Sequence, residues 1–208
     1  MESTTVAKGG ATAAAPSSTT ARPRVVILGT SLTAGYGLDD PEHDAYPAAL
    51  QHIADSLDVP VTIVPAGLSG ETSAGALRRA DWLLQQPADV FVIETGANDG
   101  LRGLDPDSTV ANIRGLIAKV RAARPAARIV LVQMEAPTNL GAAYTKTFHG
   151  IFPKVAAQSN VTLAPFLLDS VAGIASLNQR DGIHPTPVGA RKAARNLWPT
   201  LARALTAR

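Results

Sequence analysis

Five apolar runs, spaced by stretches of helix length, constrain this chain more than any other feature. The first, Arg24–Thr30 (RVVILGT), is followed by Val59–Pro65, Asp89–Thr95, Arg128–Met134 and Val161–Phe166. They are continuous rather than alternating, as strands covered on both faces must be. Between and after them lie Tyr46–Leu57, Thr72–Gln86, Ser108–Arg124, Ala142–Gln158 and Pro187–Thr206. In Thr72–Gln86 the residues Ala76, Leu77, Ala80, Leu83 and Leu84 recur at intervals of three and four, which makes one apolar face. Pro187 sits in a first helical turn, where its missing N–H costs nothing. Strands alternating with helices predict a parallel five-stranded sheet with right-handed crossovers, an α/β three-layer sandwich. Ligands of such sheets bind beyond the carboxyl ends of the strands. The residues that follow each strand are therefore the ones to inspect.

Composition bounds the rest. With 208 residues the chain is long enough for one domain with a substantial core. It has no cysteine, which excludes disulfides, thiolate metal sites and a cysteine nucleophile, and is compatible with reducing and oxidising compartments alike. Nineteen Lys and Arg against 17 Asp and Glu leave a net charge of +2. The basic clusters are no longer than pairs such as Arg78-Arg79 and Arg191-Lys192, so a nucleic-acid partner is not expected. No run approaches 18 apolar residues, so no transmembrane segment is expected. Residues 1–22 are rich in Ala, Ser, Thr and Gly, with Val6 the only large apolar side chain. They read as a disordered tail preceding a domain over 23–208. They lack the apolar stretch of an intact secretory signal.

Four motifs occupy the predicted strand ends. Gly29-Thr30-Ser31-Leu32 follows the first strand and presents the Ser31 hydroxyl and N–H over the sheet edge. Gly67-Leu68-Ser69-Gly70-Glu71-Thr72 follows the second, with Gly70 an unobstructed backbone donor. Gly96-Ala97-Asn98-Asp99-Gly100 follows the third, where the Asn98 amide can aim an N–H at the same place. Asp181-Gly182-Ile183-His184-Pro185 precedes the last helix. Its carboxylate can hold the imidazole Nδ1–H and leave Nε2 as a base. Each motif alone has a plainer reading: a capping serine, a turn glycine, a turn asparagine, a capping aspartate beside a surface histidine. Together they supply a nucleophile, three N–H donors and an oriented base, the parts needed for acyl transfer. Ser31 has no glycine two residues later, unlike the G-x-S-x-G nucleophile elbow. No metal-binding pattern such as HExxH accompanies His184, and no metal is expected.

From Arg24 to the C-terminus these blocks, in this order, resemble the SGNH hydrolases, also called the GDSL esterase/lipase family. The similarity is closest to the bacterial thioesterase, lysophospholipase and arylesterase branch. The third block, running on through Leu101-Arg102-Gly103, and the Asp181–Pro185 block are the most specific. The resemblance implies a flavodoxin-like three-layer fold. It implies Ser31 as nucleophile, His184 as base and Asp181 as its orienting partner. The Ser31 N–H, the Gly70 N–H and the Asn98 side chain are implied as the oxyanion hole, with Gly67 a competing candidate in the second block. No cofactor is implied. Where the family usually carries Asp before the serine, this chain has Thr30. Arylesterase-like members resemble this variant. The implied activity is hydrolysis of short-chain aryl or alkyl esters, extending to thioesters or lysophospholipids. Periplasmic or secreted localisation is implied if a leader has been removed, and a cytoplasmic one otherwise.

Leu101, Leu104, Met134, Pro137 and Ile183 are the apolar candidates for the substrate pocket, against ordinary burial under loops. Two Trp and three Tyr argue for a shallow cleft, and against the several aromatic platforms that a carbohydrate acetylesterase would want. A different class, an FMN-binding flavodoxin-like module, would use Thr30–Gly35 as a phosphate loop. That reading leaves Asp181 and His184 without a role.

Overall fold

The computed structural model describes residues 22–206. The expected tail therefore lies, apart from Arg22, outside the described residues. The strands are β1 (Arg24–Gly29), β2 (Thr62–Gly67), β3 (Val90–Ile93), β4 (Arg128–Val132) and β5 (Thr162–Ala164). They form one parallel sheet in the order β2-β1-β3-β4-β5. The short helices α1 (Ser31–Ala34), α2 (Pro41–Asp44) and α5 (Ala97–Leu101) sit at its rim. The long ones are α3 (Tyr46–Ser56), α4 (Ser73–Leu83), α6 (Pro106–Ala123), α7 (Ala142–Gln158) and α8 (Pro187–Thr206). Helices α3 and α8 pack together on one face, and α4, α6 and α7 on the other. The expected three-layer α/β architecture is the observed one.

The strands earn their places by burial. Val25–Leu28 of β1, all of β3 and Ile129–Val132 of β4 are buried, in one core with Ile113 and Leu116 of α6, Phe148 and Phe152 of α7, and Leu197 and Leu201 of α8. Each such side chain contributes about 1.5–3 kcal/mol relative to exposure. Arg24 N–H donates to the Asp89 carboxylate (2.7 Å), which aligns the starts of β1 and β3.

The second strand departs from expectation. It runs Thr62–Gly67 rather than Val59–Pro65. Asp58 takes a left-handed φ of 52°, and Val59 N–H closes onto Ala54 O of the preceding helix. The apolar Val59 and Val61 thus belong to the connection, and the ladder begins where Thr62 N–H meets Pro23 O. Pro65 is exposed on this edge strand, the position in a sheet where a missing N–H is tolerated. The register then carries Gly67 level with Gly29, so both first loops leave the sheet at one height.

Candidate active site

The ends of β1, β2 and β3 and the loop before α8 converge on a cavity of about 730 Å³. Ser31 is the first residue of α1, directly after β1 and Thr30. The loop of residues 165–186, between β5 and α8, brings His184 over it. The Ser31 Oγ lies 2.9 Å from His184 Nε2, and His184 Nδ1 lies 2.6 Å from Asp181 Oδ2. A carboxylate only accepts, so Nδ1 carries the proton and Nε2 is free to accept from the serine hydroxyl. Asp181 Oδ1 also accepts from the Ile183 and His184 backbone N–H groups (2.9 and 3.0 Å). Partial burial works against its charge, but the His184 ring and these two N–H groups outweigh it and hold the carboxyl down at about 2. It is therefore ionised at neutral pH.

Gly70 and Asn98 line the same cavity as Ser31. Asn98 lies on α5, and its Nδ2 donates one hydrogen to Glu71 O (3.0 Å). That bond orients the amide and leaves its second N–H available. Gly70 has φ +76°, a conformation suited to glycine. Gly67 serves another purpose. A methyl group there would overlap Ala34 N and sit 2.7 Å from Thr30 O, so glycine is what lets α1 lie against β2. Gly67 does not line the cavity.

Below the serine is a buried polar cluster that the sequence reading passed over. Glu94, at the end of β3, is fully buried. Its carboxyl accepts from Thr30 N–H, the Thr30 hydroxyl and the Thr33 hydroxyl, each at 2.8 Å. Thr33 Oγ1 in turn meets the Tyr46 hydroxyl at 2.7 Å. Burial pushes the Glu94 carboxyl up to about 7 against the opposing pull of those donors. Thr30 thus anchors the Ser31 loop through its N–H and a neutral hydroxyl. The phosphate-loop alternative fails here, because the Thr30 N–H that an anion would need is already given to a carboxyl group.

A second support fastens the loop after β2. Arg79 pairs with Glu71 (2.7 Å) and donates to Gly29 O (3.0 Å) and Ala66 O (2.8 Å), stapling the ends of β1 and β2. Buried Asp99 accepts from Ser73 N–H (2.8 Å) and the Ser73 hydroxyl (2.5 Å), tying α5 to α4. A third support spans the chain: the Gln179 amide donates to Tyr36 O (2.8 Å) and Pro185 O (2.9 Å), while its own N–H donates to His184 O (2.7 Å). The Tyr36 ring lies 4.8 Å from the His184 ring.

Leu101, Met134, Pro137 and Ile183 line the cavity, joined by Leu32 and Phe166. Leu104 does not. The chain reverses after α5, where Leu104 N–H returns to Asp99 O and Leu104 O accepts from the Tyr144 hydroxyl (2.7 Å), and the residue is left exposed outside the lining. The cavity walls are largely aliphatic, with Tyr36 and Phe166 among the lining residues.

A family model described as the GDSL-like lipase/acylhydrolase family matches residues 27–192. The chain belongs to that family. This acylhydrolase is 37% identical over 179 residues to Esterase TesA of Pseudomonas aeruginosa, an alignment covering 85% of this chain and 87% of the relative. It is 34% identical over 168 residues to an arylesterase of Vibrio mimicus, covering 80% and 82%. Among solved structures, the psychrotrophic esterase EstA from Pseudoalteromonas sp., inhibited by monoethylphosphonate, superposes with a TM-score of 0.82 at 33% identity, covering 88% of this chain and 99% of that one. The resemblance and the esterase class read from the motifs both stand on this membership. Among the described residues of the acylhydrolase, no helix is long and apolar enough to cross a membrane.

Proposed function

We propose that the protein is a serine esterase that cleaves small aryl and alkyl esters through an acyl-enzyme on Ser31. One observation carries the reading: the hydrogen-bonded line Ser31–His184–Asp181 opens onto an apolar cavity. His184 Nε2 takes the hydroxyl proton as Ser31 Oγ attacks the ester carbonyl. Asp181 holds the imidazolium that forms. The oxyanion is held by the Ser31 N–H, the Gly70 N–H and the second N–H of Asn98. His184 then gives its proton to the leaving alcohol, and water repeats the two steps on the acyl-enzyme. The apolar walls take the acyl chain, and Met134, Pro137 and Phe166 mark where it lies.

The test is a panel of p-nitrophenyl esters from acetate to dodecanoate, run on wild type and Ser31→Ala. The expected optimum falls between butyrate and octanoate, and Ser31→Ala loses on the order of 10⁴–10⁶ in kcat. A phosphonate ester should add one mass increment to wild type, located on Ser31 by peptide mass, and none to the variant. Esterase activity that survives Ser31→Ala would remove the nucleophile from the scheme. Since the base has to be neutral, the rate should fall on acidification.

A further inference from the structure

We infer that Glu135 selects substrates by charge: the cavity takes acyl arms that are neutral or cationic and turns away acyl arms that end in an anion. The inference rests on the acyl-site reading above.

Two carboxylates, Asp181 and Glu135, line the cavity among the described residues, and neither Lys nor Arg does. The two are differently committed. Asp181 spends its charge on the His184 ring and two backbone N–H groups. Glu135 lies on the loop after β4, in sequence with Met134 and Pro137 on the apolar wall. Its Oε1 accepts from His149 Nδ1 (2.7 Å) and Gln133 Nε2 (3.2 Å). The Gln133 amide is buried, and its two hydrogens are shared among Glu135, Met134 O and His149 O (the last two at 3.1 Å), so it is itself held in place. Glu135 is therefore pinned at one place, with its side chain 31% exposed.

Sheet order sets the distance. Ser31 follows β1 and Glu135 follows β4, with β3 between them. Two strand spacings put the loops about 10 Å apart. An acyl chain bound at Ser31 and extended toward β4 brings its far end to Glu135. A unit charge on that far end then lies within about 10 Å of the Glu135 carboxylate, which in a partly screened site changes binding by about two- to twentyfold. The group nearest Glu135 that can carry positive charge is His149, and only when protonated; Arg102 donates to Gly70 O (2.9 Å) on the loop after β2 and does not line the cavity.

Three length-matched esters test this at pH 8 and low salt: p-nitrophenyl hexanoate, mono-p-nitrophenyl adipate and p-nitrophenyl 6-(trimethylammonio)hexanoate. In wild type, kcat/KM relative to the hexanoate should be about two- to twentyfold lower for the adipate and higher for the trimethylammonio ester. Glu135→Gln should bring the two ratios together, and Glu135→Lys should invert them. Equal ratios in wild type overturn the inference without any variant. Ratios that Glu135→Gln leaves unmoved overturn it as well. Failure to hydrolyse the hexanoate would strike the esterase reading itself, whereas normal hexanoate turnover with flat ratios strikes charge selection alone.

Discussion

At the scale of single residues, the site divides into groups that move protons and groups that hold them still. Asn98 spends one N–H on Glu71 O, and in the proposed mechanism the other serves the oxyanion. Asn98→Ala should therefore lose about 10²–10³ in kcat with little change in fold. An unchanged kcat would take the residue out of the hole. Glu94 acts differently, through stability. Its carboxyl is raised from an ordinary 4.5 to about 7 by burial, so the folded chain keeps a proton that the unfolded chain releases. That contribution is present below about 4.5 and is lost as pH rises through about 7. The urea midpoint of wild type should fall from pH 5 to pH 8 by more than that of Glu94→Gln, whose amide does not titrate. Parallel midpoints would mean that Glu94 ionises at its ordinary value in the folded chain. Glu94 was visible in principle: a lone carboxylate inside the apolar run Val90–Thr95 is itself a flag. What the linear text hides is its partner, since Thr30 lies 64 positions away.

At the scale of elements, Ser31 is placed by packing as much as by hydrogen bonds. Helix α1 leans on the end of β2, and only a residue without Cβ at 67 permits that approach. Gly67→Ala should push α1 outward. The expected cost is about 1–3 kcal/mol in stability and about 10² or more in kcat, because displacement of a reacting atom by roughly 1 Å is enough for that loss. Chemical denaturation and p-nitrophenyl butyrate turnover read the two effects separately, and a fully active variant would show that α1 is held otherwise. The same edge explains the boundary error in β2. Central strands are covered on both sides and announce themselves as unbroken apolar runs, as β1, β3 and β4 do. An edge strand with an exposed Pro65 does not, and Val59 and Val61 in the connection imitate one.

For the molecule as a whole, the architecture and the meeting of Ser31, Asp181 and His184 were legible because both rest on order along the chain. Strand–helix alternation implies the parallel sheet, and a parallel sheet puts the ends of its strands on one rim. The rest depends on pairs that close only in three dimensions. Tyr36 against His184, Arg79 against Gly29 and Gln179 against Tyr36 carry no local signature. The aliphatic lining is of the same kind: Leu32, Leu101, Met134, Pro137 and Ile183 come from separate stretches of the chain and meet only in the fold. The Gln179 clasp has a thermal corollary. Asp181 and His184 ride on a long segment with no helix or sustained strand, fastened to the Tyr36 turn by that amide. Such segments open at lower free energy than the sheet beneath them. On gentle warming the catalyst should fall silent while its scaffold is still intact, with turnover fading several degrees before far-ultraviolet ellipticity does, and recovering when the sample is cooled.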